Sequence, residues 1–552
     1  MWKRNLLLSF TILGAMALVI TTLVRGDHIE EKPAQTDFPL WHDASLWQTV
    51  TRLDREFAQA WAAKGLKPAP PADQKLVMRR IALGLMGTVP SLEEQRVFES
   101  LPDGHRMPWW LAHVFADRRY ADYVAERLTR AYVGTEEGPF IFFRRRRFRA
   151  WLGDQLHKNV PYDQIVRQLL VGRGIWTSDP SVNFLSVTVN PDEEDDPKPD
   201  PIRLAGRTAR AMLGMRIDCL QCHNDKLGNV ELGPPGKLRD GEQADFHRLA
   251  AFFSEADVSL LGVVDRPGTP YRYKFLHKEQ EEVVHPMVPY GQEWLRPAAT
   301  RRQQLADWVT DPRNRPFARA IVNRAWALLF GKPLVEPIDD IPLYGPFPPG
   351  METLTDDFIE HGYNVRRLLT IIAASEAFQR DSRASFEITP EHFDAWAAFP
   401  LVRLRPDQVV GAITQSCSLT TLNQRTPILL QLIQFGDTLD FITRYGDMGE
   451  DEFTDRGGTI PQRLLMMNGK VVHDWTADDL VRNASGRIAA LAPDDATAVE
   501  AAYLCVLTRS PSEAERNHFV KRLADHENRS RQQVIEDLFW VLLNSTEFSW
   551  NH

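Results

Sequence analysis

Apolar residues recur at helical spacing along most of this chain, and strand-like alternation is rare. After Asp73, the residues Val77, Ile81 and Leu85 share one helical face. Further helical patterns fall at 303–309, 317–330, 351–361 and 365–378, and helix is expected again from Pro461. Start signals agree with the spacing. Ser91 with Glu94 makes a capping box, and near the other end Pro511 and Glu513 open a second helix after a turn. Residues 190–201 are acidic and proline-rich, a solvated loop that matches no calcium-loop spacing. Residues 228–243, 260–300 and 440–460 are rich in Gly with Pro or Asp and have no periodicity.

A chain of 552 residues exceeds a single core. The fold class expected is mainly α: two helical domains after an N-terminal signal or transmembrane segment, with long irregular loops. The boundaries expected are 1–26 for that segment, 27–45 for a polar connector and 46–257 for the first domain. An irregular linker at 258–300 and a helical C-terminal domain at 301–552 follow.

Lys3 and Arg4 precede residues 6–24, which carry no charge. A positive end followed by an apolar stretch is the layout of an export signal. The stretch approaches the ~20 residues that span a bilayer, and no small-x-small cleavage site follows it. An uncleaved signal anchor is therefore expected over a cleaved signal, with the inner membrane as partner and the chain beyond Arg25 on its outer, periplasmic side. The formal net charge of -9 gives no basic footprint, so no nucleic-acid partner is expected.

The cysteines are four: Cys219, Cys222, Cys417 and Cys505. So few do not make a disulfide scaffold, and Cys417 and Cys505 read as buried apolar residues. Cys219 and Cys222 are followed directly by His223. Covalent attachment of haem c needs two thiols to form thioethers with the porphyrin vinyls and a histidine to reach the iron. One helical turn bearing Cys-x-x-Cys-His supplies all three, with His223 as the proximal ligand. Helical spacing over 202–217 implies that the motif ends or continues a helix. Export and haem attachment both point outside the cytoplasmic membrane.

Other readings stay open at this stage. A zinc ion would take Cys219, Cys222 and His223 with His247 or Asp225 as the fourth ligand. A thioredoxin-like redox pair wants a strand before the first cysteine, and none is expected there. A plain disulfide would bind no cofactor. Candidates for a distal iron ligand are Met215, Met287, His247, His277 and His285.

Arg144, Arg145, Arg146, Arg147 and Arg149, flanked by aromatics, read as a helix whose arginines pair with acids rather than as an anion site. Asn323, Arg324 and Trp326 share an amphipathic helix suited to packing. Asp339 and Asp340 form an acidic loop pair with no partner evident in the sequence. No phosphate-binding Gly loop, Ser nucleophile elbow or His-Glu-x-x-His helix occurs, so no enzymatic activity is assigned.

Residues 79–90, 117–122, 162–170, 207–224 and 245–253 together resemble the first of two adjoining domains of unknown function (1549 and 1553) in planctomycete cytochrome-like exported proteins. Residues 305–312, 323–331, 461–468 and 542–548 resemble the second. The resemblance implies a cytochrome-like role in electron transfer or redox chemistry and a secreted, sulfatase-like partner. An envelope binding or scaffold protein, or an accessory to polysaccharide degradation, is the alternative. Two positions depart from the pattern: Asp225 stands where relatives carry a second histidine, and Pro333 where they carry glycine.

Overall fold

The computed structural model describes residues 38–135, 142–189, 198–259, 261–424, 426, 440–446, 449, 453, 458–477, 483–525 and 529–552. The expected N-terminal segment and most of the acidic loop lie outside these residues. Among the described residues the chain is mainly helical, and no helix is long and apolar enough to cross a membrane.

Helix α1 (Ala44–Ala63) starts at an Asp43 cap and buries Leu46, Val50, Leu53, Phe57 and Trp61, one stripe of a 3.6-residue period. Helix α2 (Gln74–Met86) has no solvent face from Val77 onward. Its two arginines are buried with it and donate to backbone carbonyls from distant parts of the chain. Arg79 reaches Val506 O at 2.9 Å, and Arg80 reaches Phe378 O at 3.0 Å and His552 O at 2.7 Å. Burial pulls the Arg80 guanidinium down to about 9, which leaves it charged at neutral pH.

The chain continues through α3 (Leu92–Ser100), α4 (Asp103–Ala116), α5 (Arg118–Val133), α6 (Arg145–His157), α7 (Tyr162–Val171), α8 (Pro201–Arg207) and α9 (Gln243–Ala250), of which α4 and α5 pack against α2. Helices α10 (Arg301–Val309), α11 (Arg315–Phe330), α12 (Met351–Glu360) and α13 (Val365–Ala374) join the same hydrophobic core, which runs from Phe38 to Phe399 with Phe453. A second core gathers α14 (Pro406–Ser416), α15 (Ile460–Asn468), α16 (Lys470–Thr476), α17 (Ala484–Leu491), α18 (Asp495–Leu507), α19 (Glu513–Ala524) and α20 (Arg531–Leu543). Leu83, Val89 and Leu92 reach into it from the first part of the chain, and the buried Cys417 and Cys505 belong to it.

Several sequence expectations are refined. The stretch 258–300 is not wholly irregular. It carries the antiparallel pair β3 (Ala256–Ser259) and β4 (Gly262–Asp265), then β5 (Tyr271–Tyr273) and β6 (Glu282–Val284). Val263, Tyr271, Val284, Val288 and Tyr290 anchor this stretch in the first core. A two-rung ladder, β1 (Glu231–Leu232) with β2 (Arg239–Asp240), lies in 228–243, and β7 (Val402–Arg403) pairs with β8 (Trp550–Asn551). Strands this short show no alternation. The box at Ser91 and Glu94 is present, but the later helix is capped by Ser512 with Glu515, so Pro511 precedes the cap instead of opening the helix. Helix α13 stops at Ala374 because Ser375 turns extended and caps a short turn, Glu376–Gln379.

Candidate cofactor-attachment site

Helix α8 continues through a wider turn, Thr208–Met212, and ends at Gly214, whose φ is +64°. The conformation favours glycine, and a β-carbon there would lie 2.9 Å from Ile341 Cδ1, the movable tip of the side chain that covers it. The motif is therefore not the end or the continuation of that helix. It forms a separate turn, Asp218–Gln221. Cys222 N donates to Cys219 O at 3.2 Å and His223 N to the same oxygen at 3.4 Å, which closes one helical turn over the three motif residues. Leu220, wholly buried, pins the turn from below.

Cys219 and Cys222 are free and exposed. Partial burial and then the Asp225 carboxylate push the Cys219 thiol above its ordinary value. A thioredoxin-like pair wants a strand before the first cysteine, and here helix α8 and its wider turn precede the motif instead. His223 is exposed, with Nδ1 2.8 Å from Asn224 O. A carbonyl only accepts, so Nδ1 carries a proton; in the neutral ring this leaves the lone pair on Nε2, the tautomer an Nε2 metal ligand needs. The turn stands on the surface rather than on a cleft floor. Nearby in the chain or through hydrogen bonds lie exposed apolar side chains: Leu227 (84% exposed) and Leu276 (61%), whose N–H donates to Gln243 Oε1.

His247 is buried on α9 directly behind the turn. Its Nε2–H donates to Gln221 O at 3.0 Å, and Nδ1 then accepts from the Tyr271 hydroxyl at 2.9 Å. The ring stacks on Tyr273 at 3.4 Å, and burial lowers its pKa, which keeps it neutral. Gln243 Nε2 and Tyr273 Oη also converge on Gln221 O, at 3.1 and 3.2 Å. Asp225 folds its own loop, accepting from Leu227 N at 3.0 Å and Val230 N at 2.7 Å. Both fourth-ligand candidates for zinc are thus committed to protein groups. Met215 is buried in the first core, whereas Met287, His277 and His285 are exposed.

The region after α11 supports the turn from the other side. Asn323 donates to Val335 O at 2.8 Å and Ile338 O at 3.1 Å and accepts from Val335 N at 3.0 Å, so it shapes a loop rather than only packing a helix. That loop presents Asp339 to Arg210 Nε and Arg216 Nε, each at 2.8 Å, which supplies the partners the sequence did not reveal. Pro333 lies in the same irregular stretch. Two arginines of the basic run pair with an acid as expected: Arg145 Nη2 lies 2.8 Å and Arg149 Nη1 3.5 Å from Glu126 carboxylate oxygens. Burial opposes the charge on Glu126, but the Arg145 guanidinium outweighs it and holds the carboxyl down to about 2.

One cluster escaped the sequence. Among the described residues, Glu94, His113 and Asp117 are the group whose atoms approach closely enough to share an ion, all within 4.8 Å. Arg119 already occupies that position, paired with Glu94 and 3.0 Å from Asp117 Oδ2, so the cluster is an internal charge network. Neither the cluster nor two clefts elsewhere, of about 410 Å³ beside Phe347 and about 450 Å³ beside Phe98, contains a motif residue.

Residues 52–258 match the family model PSCyt2, a protein of unknown function (DUF1549), and residues 301–431 match PSD1, a protein of unknown function (DUF1553). The two matched domains adjoin in the chain. The motif, His247 and Arg216 fall in the first match, and Asn323 and Asp339 in the second. No curated protein and no solved structure matches the chain.

Proposed function

We propose that residues 219–223 form a haem c attachment turn and that the chain is an exported, membrane-anchored redox protein passing electrons at the cell envelope. One observation carries the reading. A single surface turn offers two free thiols together with a histidine whose Nδ1–H is tied to a carbonyl, leaving Nε2 available. Cys219 and Cys222 would hold the group through thioethers, and His223 Nε2 would bind its iron. When bound, the haem supplies a one-electron iron couple. The chain's own contribution is to fix the turn. His247, Gln243 and Tyr273 clamp Gln221 O between the two thiols, and Leu220 seats the turn on the core. Residues 6–24 would anchor the chain with the turn outside.

Asp225 and His247, the fourth ligands a zinc ion would take, already bond to protein groups. A sulfatase-like partner rests on the family resemblance alone. An absorption spectrum tests the haem reading: the full chain, produced in a host with haem c maturation and then reduced, shows a sharp α-band and a thioether-type pyridine haemochrome. The Cys219→Ala/Cys222→Ala variant loses both. A colourless wild-type chain from that host contradicts the proposal.

A further inference from the structure

Asp339 belongs to the second matched domain, yet its carboxylate serves the first. Oδ2 accepts from Arg210 Nε and Oδ1 from Arg216 Nε, and the aspartate side chain is 6% exposed. The two arginines lie on either side of Gly214, where α8 ends and the path to Cys219 begins. Arg210 Nε also lies 4.0 Å from Asp218 Oδ2, in the first residue of the attachment turn. Two residues beyond Asp339, Ile341 N donates to Gly214 O at 2.7 Å, and its side chain closes over the glycine. The second domain therefore grips both the backbone and the flanking charges of the segment that leads into the motif.

We infer that Asp339 is a positioning residue through which the second domain fixes the haem-attachment turn, by holding Arg210 and Arg216 together across Gly214. The inference rests on the haem reading for its purpose, although its first test needs no haem. Burial opposes the Asp339 charge, but the guanidiniums of Arg210 and Arg216 outweigh it and keep the carboxyl below its ordinary range, so both hydrogen bonds are charge-assisted.

Hydrogen exchange on the full chain without haem compares wild type with Asp339→Asn. The amides of residues 215–225 are expected to exchange roughly tenfold faster in the variant, while those of α1 and α20 stay unchanged. Arg216→Gln, a change at a side chain 38% exposed, loosens the same peptide and stands in if Asp339→Asn fails to fold. The double variant adds little to Asp339→Asn, because that change already removes the contact Arg216 makes. In a host that matures haem c, Asp339→Asn also carries less attached haem per chain. Unchanged exchange at 215–225 in both single variants overturns the inference. Faster exchange in a chain whose wild type takes up no haem leaves the grip of Asp339 standing and removes only the haem reading.

Discussion

Glu94 does three things with one carboxylate. Oε2 accepts from Ser91 N at 2.8 Å and closes the capping box, while Oε1 receives His113 Nε2 at 2.9 Å and the Arg119 guanidinium. Burial opposes its charge, yet Arg119 and then His113 prevail and hold the carboxyl down to about 2, from an ordinary 4.5. The folded-state value lies below the unfolded one, so the stabilisation is complete above about pH 4.5 and is lost as pH falls towards 2. It amounts to about 3 kcal/mol. Glu94→Gln is expected to flatten that acid limb in urea unfolding followed against pH, and to cost about 3–5 kcal/mol at neutral pH by leaving Arg119 underpaired. An acid limb that overlays the wild type's would show that the pair contributes nothing.

His247→Phe keeps a ring against Tyr273 but deletes the donor to Gln221 O. It is expected to lower stability by about 1–3 kcal/mol in thermal unfolding and to loosen the turn. Local structure at this scale was legible: the Ser91–Glu94 box needs only a few consecutive residues. The long pairings were not. Arg119 is 25 positions from Glu94 and Arg210 is 129 from Asp339, and no sequence period links residues so far apart.

Helix α2 shows what periodicity reveals and what it hides. The stripe of Val77, Ile81 and Leu85 predicts a helix, but not that every other face is buried too, arginines included. The hidden cause is α11. A β-carbon on Gly84 would sit 2.8 Å from Leu328 O, so the two helices meet backbone to backbone. Gly84→Ala is expected to force them apart at a cost of about 1–3 kcal/mol, read as a lower urea midpoint with an unchanged slope. An unshifted midpoint would mean that the crossing relaxes freely. The hairpins of 256–284 were illegible for a different reason. Three- and four-residue strands among Gly and Pro are too brief for alternation to show, and their pairing is fixed by the core beneath.

At the scale of the whole molecule, family matches and packing divide the chain differently. The matches end at 258 and resume at 301, close to the boundary read from composition. The first hydrophobic core crosses that boundary without interruption, and the second is built mainly from residues after 400. Composition marks where the helical pattern breaks off, not where the core ends. A chain cut after residue 300 is thus expected to lose cooperative thermal unfolding, because α10 to α13 complete its core. A sharp calorimetric transition in that fragment would contradict this.

The most direct measurement is the intact mass of the full chain, purified from a host that matures haem c. The account predicts a mass increase of one haem that survives acid denaturation and vanishes in Cys219→Ala/Cys222→Ala. An unmodified wild-type mass in such a host would contradict it.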